Sequence, residues 1–442
     1  MNIKQILFCY PTACSIVLEK KYFWMIILFT LLAVRWLYRF INATLWAEDG
    51  ALFLSQAFQF GYKSLGMPYA GYFHTLPRII AYFASFLPSL FVSHFIILSC
   101  FVFTYYTISK IFSDDYEWII PKIYYRGLLA VLLVLVPGTQ EAYGNIANLH
   151  WVLYMYLAVL GLKRPDSKFT IPEICITALA VLSEGATLTL LPLYCMRLVF
   201  QFLRKRGIYF YIQEMLMVVF ILLLGVINFS IREQSTVNVN LIFLLKIYIK
   251  TTVCEFLSYP WLYSTLYKVQ SKYWIVPGFY LSAFTIFWLV KRPRKEDFWI
   301  PVFFFGSVLL YPVMIGVVRP GSAFSEGSWW LFMRYGFPAG FSGYIFWVWF
   351  LSGLRLKNAS FVNFVFVYLT LMSFVFSLHS GFFIQPAKQT NYFFIHSSEI
   401  DNVRTNKESK QIVIPIEPKD WAMSIGSGQT KILINPNTAD RR

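Results

Sequence analysis

The chain has 442 residues, 58% hydrophobic and 20% aromatic with only 14% charged, against roughly 25% charged in soluble domains. Apolar runs of the roughly twenty residues needed to cross a hydrocarbon core recur along it, which excludes a soluble enzyme or a disordered tail. The 38 Lys and Arg against 22 Asp and Glu leave +16, a balance that on a soluble chain suggests nucleic acid; here the basic residues fall between apolar runs, so no nucleic-acid partner is expected.

Lys20 and Lys21 precede a first run from Tyr22 to Ile41 with no A-x-A site close behind it, which reads as an uncleaved span. Later basic clusters are Lys110/Lys122/Arg126, Lys163/Arg164/Lys168, Arg197/Arg204/Lys205/Arg206, Lys291/Arg292/Arg294/Lys295 and Arg355/Lys357. They fall at every second boundary, and short Lys/Arg-rich loops stay cytoplasmic. The pattern predicts an N-in, all-α polytopic membrane protein with spans near 22–41, 89–110, 127–138, 149–162, 171–183, 185–201, 212–230, 273–290, 299–318, 336–353 and 360–379. That is about eleven transmembrane helices, with the C-terminus outside.

Between 127 and 162, and again between 170 and 202, two helices of about fifteen residues each must fit, short of a full crossing. Each pair reads as a tight hairpin with an outward polar tip. Gln140, Glu141, Asn145, Asn148 and His150 form the first tip, and Ser183 and Glu184 the second. Irregular backbone at that depth must be packed in protein or line a wet cavity.

The transmembrane domain is expected over 1–379, with outer loops at 42–88, 231–272 and 319–335. The first two suit helices lying in the interface. A small β-rich appendage over 380–442 is expected outside, from the alternation in Ile412-Val413-Ile414, Trp421 to Ile425 and Lys431 to Ile434.

Candidate chemistry sits on the outer side. Glu48 and Asp49 follow the first span, and a partly desolvated carboxylate there suits a general base; the plainer reading pairs them with Arg35, Arg39 or Arg78. Arg319 and Arg334 flank an outer loop, where a guanidinium fork fits a phosphate and snorkelling to headgroups is the plainer role. His74 and Arg78, four apart, would share a helix face. Glu141, Asn145, Asn148, His150 and Glu184 offer hydrogen bonds to a polyol, or cap short helices. The Asp114, Asp115 and Glu117 cluster lies beside Lys110 and Lys122 and reads as a charge-balanced loop. The six cysteines show neither zinc spacing nor a disulfide framework, and no metal or cofactor is expected.

Trp46-Ala47-Glu48-Asp49-Gly50, Gly71-Tyr72-Phe73-His74-Thr75-Leu76-Pro77-Arg78, Asn145-Ile146-Ala147-Asn148-Leu149-His150-Trp151 and the late Ile414-Pro415-Ile416-Glu417-Pro418 with Trp421 behind it resemble segments of bacterial and phage O-antigen-modifying, serotype-converting glucosyltransferases. The order of features resembles the wider GT-C superfamily. The resemblance implies a multi-pass protein of the bacterial inner membrane that takes a hexose, usually glucose, from undecaprenyl phosphate and adds it to O-antigen of lipopolysaccharide at the periplasmic face. It also implies that Asp49 or Glu48 activates the acceptor hydroxyl. An O-antigen polymerase and a lipid-linked sugar flippase or transporter are the competing readings. A transporter needs ionisable groups near the midplane along a two-sided path.

Overall fold

The computed structural model describes residues 20–69, 71–136, 139–204, 207–230, parts of 303–314, 329–353, 359–380, 396–406, 412–416 and 421–425. The expected outer loop over 231–272, the expected span at 273–290, Arg319 and the Lys431–Ile434 run lie outside them. Nearly everything described is helical. Helix α1 spans Lys21–Ile41, α2 Ser55–Phe60, α3 Thr75–Ala84, α4 Ser89–Ser109, α5 Ile123–Val134, α6 Gln140–Gly144, α7 Leu149–Gly161, α8 Ile171–Ser183, α9 Leu191–Leu203, α10 Ile208–Val219 and α11 Gly225–Ser230. Then come α12 (Trp329–Gly353), α13 (Ala359–Ser380) and α14 (Ser397–Asn406), followed by strands β1 (Ile412–Ile416) and β2 (Trp421–Ile425).

Among the described residues, four helical stretches are long and apolar enough to cross a membrane: Lys21–Ile41, Ser89–Phe112, Gly185–Leu203 and Ile208–Ile227. The surfaces of the described helices invert the soluble pattern. On α1, Tyr22, Ile26, Phe29, Leu37 and Ile41 are exposed, while Arg35 and Arg39 are buried with Leu28, Leu32 and Trp36. On α13, Phe364, Val367, Leu371 and Val375 are exposed, with Ser373 and Ser377 inside. An apolar exterior of this extent needs an apolar neighbour, and polar groups that turn inward are the arrangement lipid favours.

Helix α7 is the axis of the molecule. All thirteen of its residues are buried, as expected of a helix apolar on every side; α4, α6, α8, α9 and α12 pack around it. At about 20 Å it is too short to cross a bilayer alone, so its two ends lie inside the protein. Gly127 lets α5 close onto α1, because a Cβ there would collide with the Trp24 ring.

The end of α7 beyond Gly161 carries fixed charges. Lys163 bonds Glu173 at 3.0 Å and Asp115 at 3.4 Å, and Lys110 bonds Glu173 at 2.9 Å. Thr170 and Glu173 form a capping box that starts α8. Close by, Arg197 and Glu214 pair at 2.8 Å in full burial. The Asp114–Glu117 turn is charge-balanced by Lys163 and by Arg126, which reaches Glu117 at 3.3 Å.

The described part of the C-terminal region docks on the other end. Asp401 of α14 accepts the Ser89 hydroxyl at 2.7 Å and its backbone N–H at 3.2 Å, capping α4 from a distance in sequence. Arg404 donates to Leu87 O at 3.0 Å and to Ser85 O. β1 and β2 form an antiparallel hairpin with Ile412 opposite Ile425 and Ile416 opposite Trp421. Ile412, Ile414 and Ile416 face inward while Val413 faces out. The Ile416 Cδ1 lies 3.0 Å from where a Cβ on Gly50 would stand.

Candidate functional site

The chain leaves α1 through Asn42–Leu45 and enters a π-helical turn, Asp49–Leu54, that runs straight into α2. Ala47, just ahead of the acidic pair, has φ +24°, and His74 has φ +53°. Among the described residues these are the two non-glycine positions in left-handed territory, which costs about 1–3 kcal/mol each and collects at functional sites.

The two acids diverge. Asp49 is 1% exposed, and its Oδ1 and Oδ2 accept the backbone N–H groups of Ala147 at 2.8 Å and Ile146 at 3.2 Å. Asn145 Oδ1 accepts the next N–H, that of Asn148, at 2.8 Å. Three successive amides before α7 are thus satisfied by side chains, and the carboxylate sits at the positive end of that helix. Burial pushes the Asp49 carboxyl up to about 7, against the two amides and the Arg39 charge, which pull it down. Glu48 is only half-buried and accepts the Tyr69 hydroxyl at 3.3 Å.

His150 lies in the first turn of α7, and its Nδ1 contacts Glu184 Oε2 in a buried ion-pair geometry. Glu184 is extended (φ −145°, ψ 105°), the break between α8 and the 3-10 turn Gly185–Leu190. Its other oxygen accepts the Ala186 N–H at 2.7 Å, so the carboxylate is held on both sides. Its neighbour Ser183 accepts the Leu76 N–H at 2.9 Å. That bond caps α3, for which His74 supplies no side-chain cap, and fixes His74 beside the break.

A ring cluster joins these groups. His74 stacks on Tyr72 at 3.8 Å between centroids and lies 5.5 Å from Tyr69, 5.4 Å from Phe53 and 5.7 Å from His150. His150 packs on Trp151 at 4.3 Å and meets Tyr72 at 5.6 Å. Glu48 with Tyr69 stands at one end of this chain of contacts, and His150 with Glu184 at the other. Asn148, the residue before α7, is buried, yet its side chain makes no hydrogen bond among the described residues.

Arg78 shares a turn with His74 through the Arg78 N–H to His74 O bond of 3.0 Å, but its guanidinium turns elsewhere. It donates to Gln56 Oε1 at 2.8 Å, Ser64 O at 3.0 Å and Phe73 O at 3.0 Å, and lies over Phe53. Both residues therefore border Phe53 while their polar atoms diverge. Arg35 donates to Val134 O and to Thr139 Oγ1 at 2.6 Å, and Arg39 to Gly144 O at 3.2 Å; these guanidiniums fasten α1 to the first polar tip. Glu141 lies on α6 and Arg334 on α12, and their side chains, like Arg319, lie outside the described residues.

Tyr69, Tyr72 and Phe53 complete the site without having been singled out by residue type. The Gly71–Arg78 segment holds Tyr72, but one aromatic in a chain this rich in them carries no signal. No group of three or more His, Cys, Asp or Glu among the described residues is placed to hold a metal. Comparison with protein-family models, curated proteins and solved structures finds no match.

Proposed function

We propose that the chain is a glycosyltransferase that moves a hexose, glucose in the first instance, from an undecaprenyl-phosphate carrier to O-antigen. It would work at the periplasmic face of the bacterial inner membrane, on about eleven spans with the N-terminus inside. The observation that carries this reading is the convergence of Glu48, Asp49, His74, Asn145, Asn148, His150 and Glu184 at one end of the buried helix α7, around stacked aromatic rings. The lysine-rich network occupies the opposite end. A one-sided polar, ring-lined site suits a membrane enzyme acting on a sugar better than a carrier, which needs a path to both faces.

Glu48 is the base in this reading. Both Asp49 oxygens hold the loop before α7, whereas Glu48 is partly open and has one phenol neighbour. The acceptor oxygen attacks C1 of the hexose and passes its proton to Glu48. The C1–O bond to phosphate breaks, and its electron pair leaves with the polyprenyl phosphate. Asp49 and Arg39 hold the frame.

The test is hexose transfer in proteoliposomes loaded with polyprenyl-phosphate glucose and a lipopolysaccharide acceptor. Wild-type transfer that falls 10²–10⁴-fold in Glu48→Gln is expected for loss of a general base. Transfer at the wild-type rate in Glu48→Gln would remove Glu48 from the mechanism, and no transfer by wild-type protein would overturn the reading.

A further inference from the structure

We propose that His150, oriented by Glu184, is a further catalytic residue of this site: the hydrogen-bond donor that receives the phosphate leaving group. This rests on the glycosyl-transfer reading above and adds to it the residue on the phosphate side.

Four observations converge on it. First, Glu184 holds the Nδ1 side of the ring, and the Ala186 N–H holds the carboxylate in turn; the nitrogen the ring presents is therefore Nε2. This is the carboxylate–imidazole order in which the acid sets which nitrogen works. Second, Nε2 makes no hydrogen bond among the described residues, although His150 is only 5% exposed. The residue is buried, yet Nε2 itself is not one of the fully buried unpaired atoms, so this ring nitrogen stays open to a ligand. Third, Trp151, Tyr72 and His74 hold the ring in position, so no reordering is needed when a ligand arrives. Fourth, His150 lies in the first turn of α7, where the helix field favours an anion.

The chemistry follows from the two ends of the ring cluster. In a direct displacement at C1 the acceptor and the leaving group occupy opposite sides of the sugar, so the groups that serve them flank the scissile bond. Glu48 at the Tyr69 end takes the acceptor proton. At the far end, a ring that gives Nδ1–H to Glu184 and Nε2–H to the ligand is an imidazolium balanced by that carboxylate. As C1–O breaks, the electron pair and its negative charge settle on the phosphate oxygen, and Nε2–H donates to it. The proton from the acceptor stays with Glu48 and later passes to water, so His150 needs no net change of proton count.

The test uses the purified full chain in detergent, with farnesyl phosphate, farnesol, inorganic phosphate and phosphatidylglycerol as the probes. Wild-type protein is expected to bind farnesyl phosphate more tightly than farnesol. In His150→Gln that preference falls about tenfold, the size of one charge-assisted hydrogen bond, while farnesol binding is unchanged. Glu184→Gln lowers the preference in the same direction and serves where His150→Gln fails to fold. Equal loss of phosphate and alcohol binding would reduce His150 to a packing role and overturn the assignment, as would no preference in the wild type. Displacement of farnesyl phosphate by phosphatidylglycerol at equal concentration would make the site a headgroup contact, also against it; inorganic phosphate is expected to compete only weakly. Transfer with unchanged kcat in both variants would overturn this assignment alone. Phosphate binding through His150 without any hexose transfer would leave His150 as a phosphate contact and remove both the glycosyl-transfer reading and the leaving-group role.

Discussion

Asp49 Oδ1 accepts the backbone N–H of Ala147 at 2.8 Å, joining the loop after the first helix to the entry of the buried helix α7 across 98 positions of sequence. The bond places an acid inside the protein, where two backbone amides and the Arg39 charge oppose the cost of burying it.

Its burial has a consequence for pH. The Asp49 carboxyl is raised to about 7 from an ordinary value of 3.8, so the folded protein holds a proton that the unfolded chain releases between these values. Stability therefore falls as pH rises from about 4 to about 7, by at most about 1.4 kcal/mol per pH unit. Asp49→Asn, which cannot titrate, is expected to flatten that slope in thermal melts of the detergent-solubilised protein. A slope identical to wild type would mean that another group is responsible.

Removing the acceptor altogether is worse. Asp49→Ala leaves the Ile146 and Ala147 amides buried and unpaired, at about 1–3 kcal/mol each. A clear drop in melting temperature is expected, larger than that of Asp49→Asn at pH 5. Equal melting temperatures for the two variants would show that neither amide depends on the side chain.

At the opposite end of α7, Arg197 and Glu214 are an ion pair with side chains 0% and 2% exposed. Truncating one partner strands the other charge, at about 3–5 kcal/mol, whereas replacing both with apolar residues of similar volume is close to neutral. Glu214→Ala should therefore melt far below wild type, and the double variant Arg197→Met with Glu214→Leu should recover most of the loss. Arg197 also donates to the Gly161 and Lys163 carbonyls, so recovery is expected to be incomplete.

The C-terminal hairpin bears on the acidic loop through one contact. A methyl group on Gly50 meets Ile416 Cδ1 at 3.0 Å and Leu45 at 3.2 Å, so Gly50→Ala forces one of them aside at about 1–3 kcal/mol. Faster proteolysis of the C-terminal segment is the expected readout. Ile416→Ala combined with Gly50→Ala should restore protection, and no restoration would place the strain on Leu45 instead.

Much of this architecture is legible in the residue order. The run Tyr22–Ile41 is apolar for the length of a span and becomes α1, the runs after Ser89 and Gly185 become long apolar helices, and the polar breaks at Asn145–His150 and Ser183–Glu184 interrupt helices where the letters change. The alternation in Ile412–Ile416 marks β1 and its inward face. Periodicity and composition carry this much because burial on one face repeats locally, within a turn of helix or two residues of strand.

Partnership across the fold is another matter. The residue order presents Glu48 and Asp49 as equals, and only packing turns Asp49 onto the Ile146 and Ala147 amides and leaves Glu48 beside Tyr69. It places His74 and Arg78 on one turn, while the tertiary structure sends the guanidinium to Gln56 and Ser64 and the imidazole to Tyr72. The His150–Glu184 contact joins positions 34 apart, one in the first turn of α7 and the other at the extended break after α8. The apolar pattern of a helix specifies which face is covered and says nothing of what covers it. Local apolar patterning is enough for a mostly helical, lipid-compatible chain with its polar breaks at the helix ends; which acid is locked, which is open and which histidine is held by a carboxylate depend on how those ends meet around α7.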